Sequence, residues 1–246
     1  MVFSLNAAGQ ALLEGGERVQ DLFTVTVTDG ASSFVYTLEL VVTPSDGLDP
    51  AGLRPTTLGE WHKGKMSPAG VYAIESGAGN DEITLVDDVL AGSAIHAGTG
   101  DDVLYLTGSM TGSSVDMGSG DNSLNAVFAS GTVFTGTSLV FGAGDSTASI
   151  NGADGTSGGS IAFGEGNSLL HITGNTGAGT DGTNLAFGAG SHGLSVSGAT
   201  DGMRGGTLTM DDGAGAINIT GGSGSGMAGV NAVFGATDSA LNTGSI

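Results

Sequence analysis

One phrase recurs along most of this chain: a glycine-rich turn that runs directly into an alternating strand. "SGAGNDEITLV" occupies Ser76 to Val86, and "AGTGDDVLYLT" repeats it 21 residues later, at Ala97 to Thr107. Aligning every such turn places register points at Gly77, Gly98, Gly118, Gly142, Gly164, Gly188, Asp211 and Gly235, spaced by 21, 20, 24, 22, 24, 23 and 24 residues. A period of this length signals a solenoid, in which each repeat is one winding that cannot bury its apolar side chains alone.

The apolar pattern around each turn is stricter than the glycines. Before the turn stand the pairs Ile95/Ala97, Val115/Met117, Leu139/Phe141, Ile161/Phe163, Leu185/Phe187, Leu208/Met210 and Ala232/Phe234. After it stand Ile83/Leu85, Leu104/Leu106, Leu124/Ala126, Ala148/Ile150, Leu170/Ile172, Leu194/Val196 and Ile217/Ile219. Each pair is two residues apart, the spacing that sends both side chains to one face of a strand. The expected fold is therefore all-β: a right-handed parallel β-solenoid of β-roll or β-helix type, about eight coils of 20–25 residues, over residues 71–246. Met117 and Met210 fall in the phenylalanine column and are expected in the core. A further glycine ends the second strand at Gly108, Gly152, Gly174, Gly198 and Gly221. The arc beyond it has room for a third short strand, for which "TVFTG" is suited.

Charge narrows the function. The chain carries 25 acidic and five basic residues, a formal net charge of −20, and after Lys65 its one Lys or Arg is Arg204. Nucleic acid is excluded as a natural partner. So acidic a compact body repels itself unless salt, bound cations or wide spacing relieve its carboxylates. At 39% hydrophobic residues the chain can form a core, so the 48 glycines do not mark a disordered linker. There is no cysteine, hence neither a disulfide framework nor a thiolate metal site. No run approaches the roughly 18 apolar residues of a spanning helix, and any export address is expected outside the chain.

Residues 1–45 follow a different pattern. "RVQDLFTVTVTDGASSFVYTLELVVT" contains two alternating runs joined at Asp29-Gly30, a hairpin signature. Around it, "ALLEGGERVQDLFTVTVTDG" resembles the closing half of a VCBS-type repeat, the immunoglobulin-like module found in tandem in very large bacterial surface adhesins. The likeness covers about residues 3 to 45, roughly half of such a module. It implies a partial immunoglobulin-like β-sandwich segment whose missing strands come from elsewhere, by β-strand addition or by docking on the next domain. Residues 46–70 hold "GEWHKGK" and, with Pro44 beside them, all four prolines, and read as a linker. Trp61, His62, Lys63 and Lys65 could be read as a ligand-binding cluster, but the tryptophan is expected to pack as a lid over a domain end.

The turn phrase itself resembles the RTX nonapeptide, G-G-x-G-x-D-x-U-x, of secreted bacterial calcium-binding β-rolls. "SGAGNDEIT" and "AGTGDDVLY" each depart from it in the first glycine. The resemblance implies Ca2+ held by Asp81 and Asp102, with carbonyl oxygens of Gly77, Gly79, Gly98 and Gly100 completing the oxygen shell. Farther on, the ligand position becomes Asn122, Ser146, Ser168, His192, Gly215 and Ser239, and each coil carries one phrase where the family has two. Calcium is thus expected in the N-terminal coils alone. Beside this stands a metal-free reading, in which Asn80, Asp101, Asp121, Asp145, Asn167 and Ser191 tolerate left-handed backbone and hydrogen-bond their own turns.

No constellation suggests catalysis. Arg204 with Asp201, Asp211 and Asp212 is the one candidate for a lyase-like site, and outward His96, Tyr105 and His171 lie on different coils or faces. The outward column Thr84, Tyr105, Asn125, Ser149, His171, Ser195, Asn218 and Asn242 is too irregular for an ice-binding threonine row. The other outward column, His96, Asp116, Val140, Ala162, Ala186, Thr209 and Val233, turns apolar toward "ALNTGSI", where no polar cap closes the last coil; such an end invites stacking. The expectation is a non-enzymatic, secreted or cell-surface bacterial protein. It would be an RTX-like adhesin, surface-layer or filament subunit, self-associating through the incomplete immunoglobulin-like segment and the solenoid end, or continuing within a longer polypeptide. The alternative is a carbohydrate-binding or carbohydrate-processing β-helix protein.

Overall fold

The computed structural model describes Val19–Thr28, Ser33–Val42, Lys65–Met66, residues 72–235 and Ser239–Ser245. The expected turn at Asp29-Gly30 and the cluster at Trp61, His62 and Lys63 lie outside the described residues. All regular structure among the described residues is β-strand, and the repeats stack as a parallel solenoid of about seven turns. Eight register points bound seven intervals, which accounts for the difference from the expected eight coils.

Val19–Thr28 pairs antiparallel with Ser33–Val42, with Val19 opposite Val42 and Thr28 opposite Ser33. This is the hairpin that the alternation predicts. The two strands form a sheet of their own.

The solenoid has two main sheets. The longer takes one strand per coil in chain order: Lys65–Met66, Glu82–Leu85, Val103–Leu106, Ser123–Thr135, Ser146–Ser157, Ser168–Gly174, His192–Gly198, Gly215–Gly221 and Ser239–Ser245. The shorter runs from Ala73–Glu75 through Ala94–His96, Ser114–Asp116, Ser138–Phe141, Ser160–Phe163, Asn184–Phe187 and Thr207–Met210 to Asn231–Phe234. Lys65–Met66 pairs with Thr84 and Leu85, so parallel pairing begins inside the stretch read as linker. A third side exists as well. Met110–Thr111, Thr180–Asp181, Met203–Arg204 and Met227–Ala228 pair with one another or with the tails of the two longest strands.

Register is strict because a slip of one residue would turn every buried side chain to solvent. Phe141 pairs with Phe163, Phe163 with Phe187, Phe187 with Met210 and Met210 with Phe234. The rings stack nearly parallel, at 4.6 Å between Phe141 and Phe163 and 5.1 Å between Phe163 and Phe187. Opposite them runs the column Leu104, Leu124, Ala148, Leu170, Leu194 and Ile217, each at most 2% exposed. Met117 and Met210 are buried in the aromatic column. Met110, Phe134 and Met203 close the core on the third side.

Five successive coils require glycine at the second position after the register point. Gly100, Gly120, Gly144, Gly166 and Gly190 have φ between 124° and 147°, and a Cβ on any of them would overlap the carbonyl of the equivalent glycine one coil earlier. Backbone there is stacked too closely for a side chain, and in a conformation that L-residues avoid.

Candidate metal centre

Six successive turns between the short and the long sheet present two consecutive polar residues, one outside and one inside. The outer position is Asn80, Asp101, Asp121, Asp145, Asn167 and Ser191 in successive coils. No residue other than glycine has positive φ among the described residues, so the expected left-handed backbone at these positions is corrected. Their side chains also bond to the next coil rather than to their own turn. Oδ1 of Asn80 accepts from the N–H of Asp101, Asp101 from Asp121, Asp121 from Asp145, Asp145 from Asn167 and Asn167 from Ser191, at 2.8 to 3.1 Å. Stacking at one coil spacing puts the next N–H nearer than any in the same turn. Asn167 bonds Asp145 through both its N–H and its amide Nδ2, which holds the Asp145 carboxyl below the usual range.

The inner position is Asp81, Asp102, Asn122, Ser146, Ser168 and His192. All six are buried. Here the bonds run the other way along the rod: the Asp81 N–H donates to Asp102 Oδ1 at 2.8 Å, and the Asp102 N–H to Asn122 Oδ1 at 2.9 Å. With Oδ1 so engaged, Asn122 turns its Nδ2 toward its own turn and donates to the carbonyls of Gly118 and Gly120 at 3.3 and 3.2 Å. His192 solves the same corner with a ring, Nε2 donating to the Gly188 carbonyl at 2.7 Å.

Asp102 has no such donor. By register, Gly98 and Gly100 hold the places that Gly118 and Gly120 hold one coil later. Asp102 Oδ1 accepts from Asp81, while Oδ2 is buried with no hydrogen-bond partner. Where Asn122 puts an N–H2 against carbonyl oxygens, Asp102 puts a carboxylate oxygen, an acceptor among acceptors. Burial raises the Asp102 pKa, the Asp81 N–H opposes that, and the neighbouring Asp101 charge adds to it. Such a corner suits a hard cation or a proton.

The residues expected to hold Ca2+ are thus brought together as two adjacent inner corners, Asp81 with Gly77 and Gly79, and Asp102 with Gly98 and Gly100. The donor set fits an oxygen-seeking cation. Among the described residues no three His, Cys, Asp or Glu side chains converge, so carbonyl oxygens must make up much of any shell. The Gly77 and Gly98 carbonyls also accept hydrogen bonds, from Thr99 and Ser119. At Asn122, Ser146, Ser168 and His192 the corner is filled by an amide, hydroxyls or a ring instead of a carboxylate.

The remaining candidates are scattered. Arg204 pairs with Asp181 one coil away, through Nε at 3.0 Å and Nη2. This pairing lowers the Asp181 pKa. Asp201 instead accepts from the Ser225 N–H at 2.8 Å. His96 lies 3.9 Å from Asp116 on the short sheet, whereas Tyr105 and His171 stand on the long one. No protein-family model, no curated protein and no solved structure matches this chain. No helix among the described residues is long and apolar enough to cross a membrane.

Proposed function

We propose that this chain is a non-enzymatic structural or adhesive element of a secreted bacterial surface protein, an RTX-like adhesin, surface-layer or filament subunit. In this reading the solenoid is right-handed and follows the closing part of a VCBS-type, immunoglobulin-like module. Calcium at Asp81 and Asp102 stiffens its N-terminal coils. The observation that carries the calcium reading is the buried Asp102 Oδ2, set where the next coil needs an N–H2 donor. Calcium would supply the positive charge that this corner lacks, with oxygens of Asp81, Asp102 and the glycine carbonyls around it.

Self-association fits the surface of the last described coil. Leu241 stands over Ile217 in register and is 46% exposed, where Ile217 is 2% exposed. Another winding of the same pattern, from the same polypeptide or from a second copy, would cover it.

The test is thermal melting in EDTA and in calcium, for the native sequence and for Asp102→Asn. Calcium should raise the melting temperature of the native protein and leave the variant nearly unmoved. An unchanged native melt over a calcium titration would remove the metal from this account. For assembly, sedimentation velocity across a concentration series should reveal oligomers that Leu241→Asp abolishes; a monomer at all concentrations would restrict the chain to a spacer.

A further inference from the structure

The turns between the two sheets are of two shapes. At the register point Gly77, Gly98 and Gly118 have φ of 100°, 103° and 69°, whereas Gly142, Gly164 and Gly188 lie outside the positive-φ region. The residues that follow the first three, Ala78, Thr99 and Ser119, join coil to coil through parallel bridges, Ala78 to Thr99 and Thr99 to Ser119, and along these turns the bridging goes no farther. The hydrogen bonds change at the same place. The Gly77 and Gly98 carbonyls accept from the middle residue of the next turn, the N–H of Thr99 at 2.7 Å and of Ser119 at 3.1 Å, but the Gly118 carbonyl accepts from the next register glycine itself, Gly142, at 2.7 Å. One backbone shape is therefore used three times, and another from Gly142 onward.

These three turns hold two carboxylates and one amide. Asn122 is 2% exposed, and the Asp102 N–H fixes its orientation by donating to Oδ1 at 2.9 Å, which leaves Nδ2 to face the turn. There Nδ2 meets the carbonyls of Gly118 and Gly120 at 3.3 and 3.2 Å. The third turn is thus a cradle whose carbonyl oxygens point at the inner side chain. The outer neighbour does not set it apart from the second, because Asp121 stands beside Asn122 as Asp101 stands beside Asp102. The inner side chain alone differs in kind.

An N–H2 group brings partial positive charge and two donors to a place where backbone oxygens converge. A hard cation plays the same electrostatic part among carbonyl and carboxylate oxygens, with the difference that it can leave. We propose that Asn122 is the plug that ends the cation row: its amide takes a cation's place in a third cradle whose backbone is already formed, so that a carboxylate at this one position would admit a further calcium. The inference rests on the calcium reading of Asp81 and Asp102. Ser146, Ser168 and His192 follow turns of the other shape and are not latent sites of this kind.

The test compares the full native chain with Asn122→Asp. Asn125→Asp serves as the control, since Asn125 is exposed on the outward face of the same coil, between Tyr105 and Ser149, and the change adds the same charge there. Bound calcium is counted by equilibrium dialysis in excess potassium chloride, which screens loosely held ions, and thermal melts are recorded in EDTA and in calcium. In EDTA, Asn122→Asp should lower the melting temperature by at least about 2 °C, because an acceptor replaces a donor among carbonyl oxygens. In calcium that loss should shrink, and the variant should bind one more equivalent per chain than the native protein. Asn125→Asp should change neither quantity. An unmoved melt in EDTA, no additional equivalent, or an equal gain from Asn125→Asp would overturn the plug. A native chain that binds no calcium beside an Asn122→Asp chain that binds one would leave the plug standing and remove the metal from Asp102; a native chain that binds calcium beside a variant that binds no more would do the reverse.

Discussion

Asp102 and Asn122 occupy equivalent places and differ in whether the second side-chain atom donates. In EDTA, Asp102→Asn should therefore stabilise the protein at neutral pH by about 1–3 kcal/mol, the typical cost of an unsatisfied buried polar group, read from urea unfolding. The pH dependence follows with its sign. Burial raises the folded-state pKa of Asp102, so the folded state binds more protons than the unfolded one between the two pKa values. Its contribution is fully present below the unfolded value and is lost as pH rises through the folded one. Without calcium, acidifying from pH 7 should raise the stability of the native sequence relative to Asp102→Asn. With calcium bound to the charged form, that relative gain should disappear. A second residue-scale expectation concerns Gly144, at φ 135° and against the Gly120 carbonyl. Gly144→Ala should cost at least about 1–3 kcal/mol in the same measurement.

At the scale of elements, the coils hold together through like-on-like columns rather than through ion pairs, since Arg204–Asp181 is exposed on both sides. Phe163 sits between two rings of its own kind, and Phe163→Ala should lose about 3–5 kcal/mol by denaturant unfolding. Because each coil contacts chiefly its neighbours, the damage should be local: hydrogen exchange should quicken at Leu139–Phe141 and Leu185–Phe187 before it does at Leu104. The alternation made this core legible from the amino acids alone, since two-residue spacing and coil period together leave one face available for each column. The third side was harder to see. Its arcs are glycine- and serine-rich and vary in length, so periodicity fades there, although Thr156 and Thr183 meet within it at 2.9 Å.

Across the whole molecule, the long-range electrostatics amount chiefly to self-repulsion. A net charge of −20 distributed along turns and arcs should make stability rise with ionic strength, most steeply at low salt, where the screening length is longest. Melting temperature against sodium chloride, with magnesium and calcium compared at equal ionic strength, checks this. A specific calcium response should exceed that of magnesium and vanish in Asp102→Asn, whereas a general counter-ion effect should do neither.

The chain by itself determined the winding, because glycine turns at a fixed period with apolar pairs on each side admit few other ways of burying those pairs. It also marked Asp81 and Asp102 as unlike their successors. One matter was left to the tertiary structure. The direction of each side-chain bond, outer ladder toward the next coil and inner ladder toward the previous one, depends on the close stacking of backbones, which local sequence does not encode.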